Sequence, residues 1–217
     1  MHDIRKGPSL LGLFFCFKLS IYLFMKPNYD LILDVFLNRI IPITKKSIVK
    51  GNKVFGAAIL KKSNLSVLAI GTNNETKNPL LHGEISTIFN FHNKKIKIHP
   101  KKCVFISTHE PCSLCLSAIT WAGFDNFYYF FPYEKTKNEF KIPHDLKILK
   151  EIFNINQGNY NKSNKYWKCY SIISEINKLS KLEQKKLEKK IVKINAEYKK
   201  LSKKYQISKK NSQIPLN

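Results

Sequence analysis

A histidine, an acidic residue and a pair of cysteines are spaced along the chain in a way that suits a metal ion. His82 and Glu84 stand two positions apart, and Cys112 and Cys115 follow about thirty residues later, directly behind a proline. One imidazole and two thiolates form a soft tetrahedral donor set, which suits Zn²⁺ better than magnesium or calcium. Catalytic zinc sites keep three protein ligands and leave the fourth position to water, whereas structural sites use four. The pattern therefore predicts a catalytic zinc site, with a structural zinc knuckle as the alternative.

Glu84 is predicted to be the catalytic residue of this site. At the start of a helix, a residue two positions after His82 points into the same site without easily binding the same face of the metal. Zinc lowers the pKa of a bound water from about 15.7 to about 7, and an uncoordinated carboxylate can then carry protons to and from the substrate. Cys112 and Cys115 open an apolar run, so both thiolates are expected near a helix N-terminus, whose dipole favours ionised sulfur.

The spacing H-x-E followed by P-C-x-x-C is the signature of zinc nucleobase deaminases. From about residue 54 to residue 153 the chain resembles the cytidine and deoxycytidylate deaminase-like superfamily, through the stretches VFGAAIL, GTNN, HGEIST and STHEPCSLCLSAI. The stretch HGEIST resembles fungal cytosine deaminase, whereas EPCSLC and AITWAGFDNFYY are more similar to guanine deaminases and tRNA adenosine deaminases. The resemblance covers just under half of the chain, and its parts point to different substrates.

The loop before His82 is where the resemblance places a contact with the substrate. In the families that the chain resembles, an asparagine of this loop contacts the base, and Asn73 is the matching position. Asn74 competes for this role because the loop is about two residues shorter than in the relatives, and a turn-forming asparagine is the alternative for both. Gly83 is the second predicted substrate-binding residue, because a glycine lets the backbone approach a flat ring closely; the geometry of a helix start is the alternative.

The resemblance implies an α/β protein with the three-layer α/β/α cytidine deaminase-like fold, a mixed sheet of about five strands carrying helices on both faces. The residue pattern agrees with this, because strands alternate with helices. Strands are expected at residues 54–60, 66–70, 103–107 and 126–131, and helices at 30–41, 82–92, 112–122 and 145–153. The KKSN turn predicts that the first two strands form an antiparallel hairpin, and Pro42 is expected to interrupt the first helix.

Both ends of the chain extend beyond the predicted deaminase domain, residues 26–155. Residues 1–25 are apolar, but their uninterrupted run is too short for a membrane span and no cleavage site follows it, so an upstream extension is favoured over a targeting signal. Residues 156–217 are predicted to form a linker rich in Lys and Asn and then an amphipathic helix. This helix could pack on the core, pair with a second subunit or bind RNA.

Composition limits the function classes. The 217 residues carry a formal net charge of +23, which would ordinarily indicate nucleic acid, but only Arg5 and Arg39 of the 38 basic residues are arginine, the residue usually favoured at phosphate and base contacts. Five cysteines form no even disulfide framework, which indicates a reducing, cytoplasmic location. A membrane partner is not expected.

Taken together, the residues and the resemblance predict zinc-dependent hydrolytic deamination of a nucleobase or nucleoside by a homodimer. A free base or small nucleoside is favoured as substrate. Deamination of adenosine to inosine in tRNA is the alternative, and a deaminase-like RNA-binding module without activity is a further one.

Overall fold

A mixed five-stranded sheet organises the computed structural model, which describes residues 27–94, 97–209 and 212–216. The apolar segment predicted as an N-terminal extension lies outside the described residues. The strands are β1 Gly56–Lys61, β2 Val67–Thr72, β3 Cys103–His109, β4 Asn126–Phe131 and β5 Lys168–Ser171. Their order in the sheet is β2-β1-β3-β4-β5. β1 pairs antiparallel with β2 and β3, and β3, β4 and β5 run parallel, which confirms the predicted hairpin and the mixed sheet.

Helices cover both faces of this sheet, as the predicted three-layer architecture requires. They are α1 Tyr29–Val35, α2 Ile41–Ile48, α3 Gly83–Asn93, α4 Ser113–Trp121, α5 Tyr133–Asn138, α6 His144–Phe153, α7 Ile172–Ile176 and α8 Lys181–Ser208. A π-helical turn, Phe36–Ile40, joins α1 to α2, and short 3₁₀ turns lie at Pro100–Lys102 and Asn156–Gly158.

Alternation along the strands divides the buried side chains between two cores. In β3, Val104 and Ile106 pack in the core beneath α1, α2 and α8, whereas Cys103 and Phe105 pack in the core beneath α3 and α4. Successive side chains of a strand point to opposite faces of a sheet, so a central strand with helices on both sides is apolar throughout. The aromatic strand β4 follows the same rule and is buried along its whole length.

Pro42 does not interrupt the first helix, contrary to the sequence prediction. It occupies the first turn of α2, directly after the π-helical turn. A proline lacks the N–H that a continuing α-helix needs at that position. The π-helical turn breaks the α-helical register immediately before it, so the chain stays helical from α1 through α2.

A short strand follows the Asn- and Lys-rich segment and completes the sheet. β5 pairs parallel with β4 through residues 168–171, and Trp167 is buried in the core beneath α3 and α4. The amphipathic helix after it, α8, begins with a capping box between Ser180 and Glu183. Its apolar stripe is buried against the core, including Leu187, Ile194 and Tyr198. Of the three predicted uses of this helix, the structure therefore shows packing on the core.

None of the helices within the described ranges is both long enough and apolar enough to cross a membrane.

Candidate active site

Two helix N-termini meet at one edge of the sheet and bring the predicted zinc ligands together. His82 is the N-cap residue of α3, and Cys112 is the N-cap residue of α4, both with extended backbone. Neither side chain caps its own helix, so both remain available to a ligand. Cys115 lies in the first turn of α4. The positive ends of both helix dipoles favour ionised sulfur here.

The three ligand atoms have the spacing that a tetrahedral zinc ion needs. His82 Nδ1 lies 3.4 Å from Cys112 Sγ and 3.7 Å from Cys115 Sγ. Ordinary Zn–N and Zn–S bond lengths at tetrahedral angles place such atoms about 3.6 Å apart. The pKa of Cys112 is lowered well below its usual value, first by a hydrogen bond from Cys115 and then by His82, so a thiolate forms readily. The donor set thus fits Zn²⁺, as predicted.

A fourth protein ligand is not present within the part of the chain that the structure describes. The cluster of ligand atoms that all lie within 4.8 Å of one another comprises His82, Cys112 and Cys115 alone. The site therefore has the three-ligand composition of a catalytic centre.

Glu84 lies against this cluster and is buried, with 3% of its surface exposed. Its Oε2 atom is 3.3 Å from Cys115 Sγ, and Ser107, on β3, donates a hydrogen bond of 2.6 Å to its Oε1 atom. Burial raises the pKa of Glu84, and the negative charge of Cys112 raises it further. A carboxyl group with a raised pKa can accept and release protons near neutral pH.

A buried ion pair stands behind His82. Glu75 Oε1 lies 3.8 Å from His82 Nε2, on the side of the ring away from the cysteines. Lys53 Nζ donates to Glu75 Oε1 at 2.6 Å, and the Lys53 and Glu75 side chains are 7% and 1% exposed. The carboxylate attracts the Nε2 proton of the imidazole, which directs Nδ1 toward the metal position. Neither residue belongs to the motif, so the sequence analysis missed both.

Asn73 and Gly83, the predicted substrate-binding residues, are hydrogen-bonded to each other. Asn73 Oδ1 accepts the backbone N–H of Gly83 at 2.6 Å, and Asn73 Nδ2 donates to Glu75 Oε2 at 2.8 Å. A Cβ atom on Gly83 would lie 2.8 to 3.0 Å from the backbone of Phe55 and Gly56. The glycine thus lets α3 pack closely on β1. Each of these two polar atoms of Asn73 thus uses one of its two hydrogen-bonding positions.

Asn74, the competing candidate, anchors the loop through its backbone. Its N–H donates to Leu81 O at 2.8 Å, and its carbonyl accepts the N–H groups of Lys77 and Asn78. It lines a groove that also contains Asn73 and Leu81, separate from the cavity at the zinc ligands.

A cavity of about 10 Å³ adjoins the cluster, close to the smallest volume that holds one water molecule. Besides His82, Glu84 and the two cysteines, it is lined by Phe55, His109, Glu110 and Asp145. Asp145 comes from the first turn of α6; burial and then the charge of Cys112 raise its pKa well above the usual value. The sequence analysis did not select Asp145, because no motif includes it.

Glu110 connects this cavity to the segment after α6. Its Oε2 atom accepts the backbone N–H of Tyr133 at 3.1 Å, and its Oε1 atom accepts Tyr160 Oη and Lys162 Nζ, both at 2.9 Å. The Asn- and Lys-rich segment is thus attached to the rim of the site. Glu110 itself is buried, with 3% of its surface exposed.

Comparison with known proteins agrees with the geometry. Residues 33–131 match the model of the cytidine and deoxycytidylate deaminase zinc-binding region. The chain is 28% identical over 156 residues to guanine deaminase of Bacillus subtilis (strain 168), covering 61% of this chain and 96% of that protein.

Solved structures also resemble this chain. A variant of NE0047 in complex with 8-azaguanine has a TM-score of 0.51 at 14% identity, covering 77% of this chain and 84% of that one. A structure from work on A-to-I editing by tRNA:A34 deaminases has a TM-score of 0.42 at 19% identity, covering 63% and 95%. The NE0047 likeness supports the fold. Residues 33–131 are thus similar in sequence to the zinc-binding region of cytidine and deoxycytidylate deaminases, and this is the region that contains His82, Cys112 and Cys115.

Proposed function

We propose that this protein hydrolyses the exocyclic amino group of a free nucleobase, converting the ring C–NH₂ to C=O and releasing ammonia. The observation that carries the proposal is Glu84, a buried carboxyl that ligates nothing and lies beside a three-ligand zinc site. A purely structural zinc site has no use for such a group, because an unpaired buried acid is costly.

Each residue of the site has a separate role in the proposed reaction. His82, Cys112 and Cys115 would hold the metal, and the bound zinc supplies a Lewis acid that makes water nucleophilic near neutral pH. Glu84 would remove one proton from the attacking water and deliver it to the ring nitrogen. It would then take the remaining proton from the hydroxyl group added to the ring carbon and pass it to the departing amino group, which leaves C=O and ammonia. Ser107 keeps the Glu84 carboxyl oriented through its hydrogen bond of 2.6 Å.

Guanine is the first candidate for the substrate. The curated relative, 28% identical over 156 residues, is a guanine deaminase, and Asp145 adds a third carboxyl group to the cavity wall beside Glu84 and Glu110. Guanine carries several N–H donors beside the amino group that would be removed. A carboxyl group can accept such donors, and Asn73 and Gly83 are retained as proposed contacts with the other edge of the ring.

The cavity of about 10 Å³ must widen to admit any base. The wall formed by α6 is the most suitable part to move, because Leu149 is the only apolar side chain of that helix that is fully buried. Elements with few buried side chains open at low cost in free energy. We therefore propose that a substrate enters on the Asp145 side.

The test is a deamination assay on purified protein. Zinc content is measured, and ammonia release is followed with guanine, cytosine, adenine, guanosine, cytidine, adenosine and tRNA. We expect release from a free base, guanine first. Glu151→Gln serves as the matched control for Glu84→Gln, because Glu151 is an exposed glutamate of α6. Zinc binding without ammonia from any member of the panel would overturn the proposal.

Deamination in tRNA is the second candidate, and the outer face of α8 favours it. Exposed lysines recur along this helix: Lys185, Lys186, Lys189, Lys193, Lys199, Lys200, Lys203 and Lys204. Such a surface can bind phosphates, with affinity that falls steeply as salt rises. Ammonia released from tRNA and from no free base would establish this reading. Steeply salt-dependent RNA binding without any deamination would instead indicate an inactive RNA-binding module.

We also propose that the protein is a cytoplasmic homodimer. Trp121 is 90% exposed at the end of α4, and Phe89 on the neighbouring α3 is 55% exposed. A second copy would cover these rings, since large exposed apolar side chains mark interfaces. Light scattering on the parent and on Trp121→Lys tests this: we expect a dimer that the substitution weakens, and a monomeric parent would contradict it.

A further inference from the structure

The cavity wall also contains a histidine that is neither one of the three clustered ligands nor the proposed proton carrier. His109 is the last residue of β3, is 1% exposed, and lines the cavity together with Glu84 and Asp145. We propose that His109 contacts the substrate, its Nε2 atom donating a hydrogen bond to a ring nitrogen or carbonyl oxygen of the bound base. This rests on the proposed function and adds a specificity-determining residue to it.

The imidazole is held firmly in one orientation. Its Nδ1 atom lies 3.0 Å from Thr108 Oγ1. Ring centroids of Phe55, Phe131 and Phe140 lie 4.6, 4.9 and 5.0 Å from its own centroid. A side chain fixed in this way loses little further freedom when it binds a ligand, which is the condition for a preorganised contact.

The Nε2 atom of His109 is buried and has no hydrogen-bond partner among the residues described here. Leaving a buried polar atom unsatisfied costs about 1–3 kcal/mol. Natural proteins satisfy most such atoms, so an exception beside a reaction centre indicates a group that a ligand completes. The other nitrogen already has its partner, and Nε2 is therefore the atom available to a base.

The surroundings also favour a particular tautomer. Thr108 Oγ1 accepts the backbone N–H of Gly56 at 3.0 Å, and in the proposed arrangement it donates its own proton to His109 Nδ1. Burial, together with the nearby Lys135 charge, lowers the pKa of His109 well below its usual value, and the ring is neutral. A neutral ring that accepts a proton at Nδ1 carries its N–H at Nε2. The group presented to the cavity is thus a neutral donor.

Two isosteric substitutions separate a substrate contact from a packing role. His109→Gln places an amide near the position of Nε2, whereas His109→Asn reaches only the position of Nδ1 and keeps the Thr108 contact. We expect His109→Asn to lower kcat/KM for guanine about 10- to 100-fold, mainly through KM, and His109→Gln to restore most of it. Zinc content is expected to match that of the parent in both variants. Equal kcat/KM in the parent and His109→Asn would overturn the inference.

Ring-modified bases identify the atom that His109 contacts. Guanine analogues, each with one ring nitrogen replaced by C–H, are bound to zinc-loaded Glu84→Gln protein, and the same series is repeated with His109→Asn added. If Nε2 donates to a ring nitrogen, guanine should bind Glu84→Gln more tightly than the double variant that also carries His109→Asn. The analogue that lacks this nitrogen should bind the two proteins with equal affinity. If it donates to the carbonyl oxygen, all these analogues retain the discrimination and 6-thioguanine reduces it. No discrimination with any ligand overturns the inference.

A spectroscopic measurement covers the case in which the variants do not fold. The ring nitrogens of ¹⁵N-histidine in the zinc-loaded Glu84→Gln protein report the His109 tautomer directly. We expect a proton on Nε2 and a shift of its resonance when guanine is added. An unchanged His109 resonance in the presence of bound guanine would overturn the inference and leave the proposed function intact. A parent protein that neither binds nor deaminates any base removes the proposed function itself, so the two failures are distinguishable.

Discussion

Asn73 Oδ1 accepts the backbone N–H of Gly83 at 2.6 Å, so the loop before α3 and the first turn of that helix form one unit. The zinc ligand His82 lies between these two bonded residues in the chain. The amide of Asn73 also donates to Glu75, the carboxylate behind the His82 ring. Through these bonds Asn73, which was predicted to contact the substrate, helps to hold His82 in position.

Removing the Asn73 amide is expected to loosen the ligand loop. Asn73→Ala leaves the buried N–H of Gly83 without its partner and removes one of the two donors to Glu75 Oε2, the other being the backbone N–H of Lys53. This should lower the free energy of unfolding by about 1–3 kcal/mol. Zinc should also be lost to a chelator more readily. Asn90→Ala is the control, because it removes one hydrogen bond of an exposed side chain. Urea unfolding and chelator competition check this, and equal effects of the two substitutions would contradict it.

The contact of α3 with β1 leaves no room for a side chain at Gly83. We expect Gly83→Ala to lower the free energy of unfolding by about 1–3 kcal/mol, the usual cost of overpacking, although alanine is the better helix former. Ser117→Ala, on the exposed face of α4, should change it by no more than about 0.5 kcal/mol. Thermal unfolding measures both, and a stabilised Gly83→Ala protein would show that the close approach is absent.

The buried pair of Lys53 and Glu75 should be more sensitive than a surface pair. Lys53→Met leaves a carboxylate buried without its partner, which typically costs about 3–5 kcal/mol. Lys62→Met removes the partner of Asp125 from a pair whose side chains are about one third exposed, and should cost about 1 kcal/mol or less. Denaturant unfolding at neutral pH compares them. Similar losses in the two variants would mean that the pair behind His82 is hydrated.

The buried neutral state of His109 predicts a pH dependence of stability. Because its pKa is lowered in the folded protein, the unfolded chain binds a proton below about pH 6.5 that the folded chain excludes. The resulting stability is present above that pH and is lost as the pH falls. Between pH 7.5 and 5.5 the parent should lose about 1.4 kcal/mol more than His109→Gln. If the free energy of unfolding falls equally with pH in the parent and in His109→Gln, the predicted shift in the pKa of His109 is absent.

The cluster of His82, Cys112 and Cys115 could be predicted from sequence because each residue follows a local rule. His82 and Cys112 begin helices, and the spacing from each to its neighbour in the site is short and diagnostic. The strands and helices of the central region were also predictable, since their apolar periods are strong; β4 was predicted with its observed bounds, Asn126–Phe131.

The surroundings of the site could not be predicted in the same way. Lys53 pairs with Glu75, and Asp145 lines the same cavity as the two cysteines, because elements that are distant in the chain fold together. No periodicity in the sequence indicates such contacts. β5 is four residues long and follows a stretch rich in Asn and Lys, so its pattern is too short to detect. Tyr198 of α8 lies with its ring centroid 5.5 Å from that of His109, which brings the C-terminal helix to the pocket wall without any signal in the motif.

The most direct test of the central claim is ammonia release by the zinc-loaded parent protein and by Glu84→Gln, measured on the same panel of bases, with zinc content determined for both. The account predicts about one zinc ion per chain in each protein, release by the parent, and a rate lower by at least about 10²- to 10⁴-fold in the variant. Equal rates in the two proteins, or a parent that folds correctly without zinc, would contradict it.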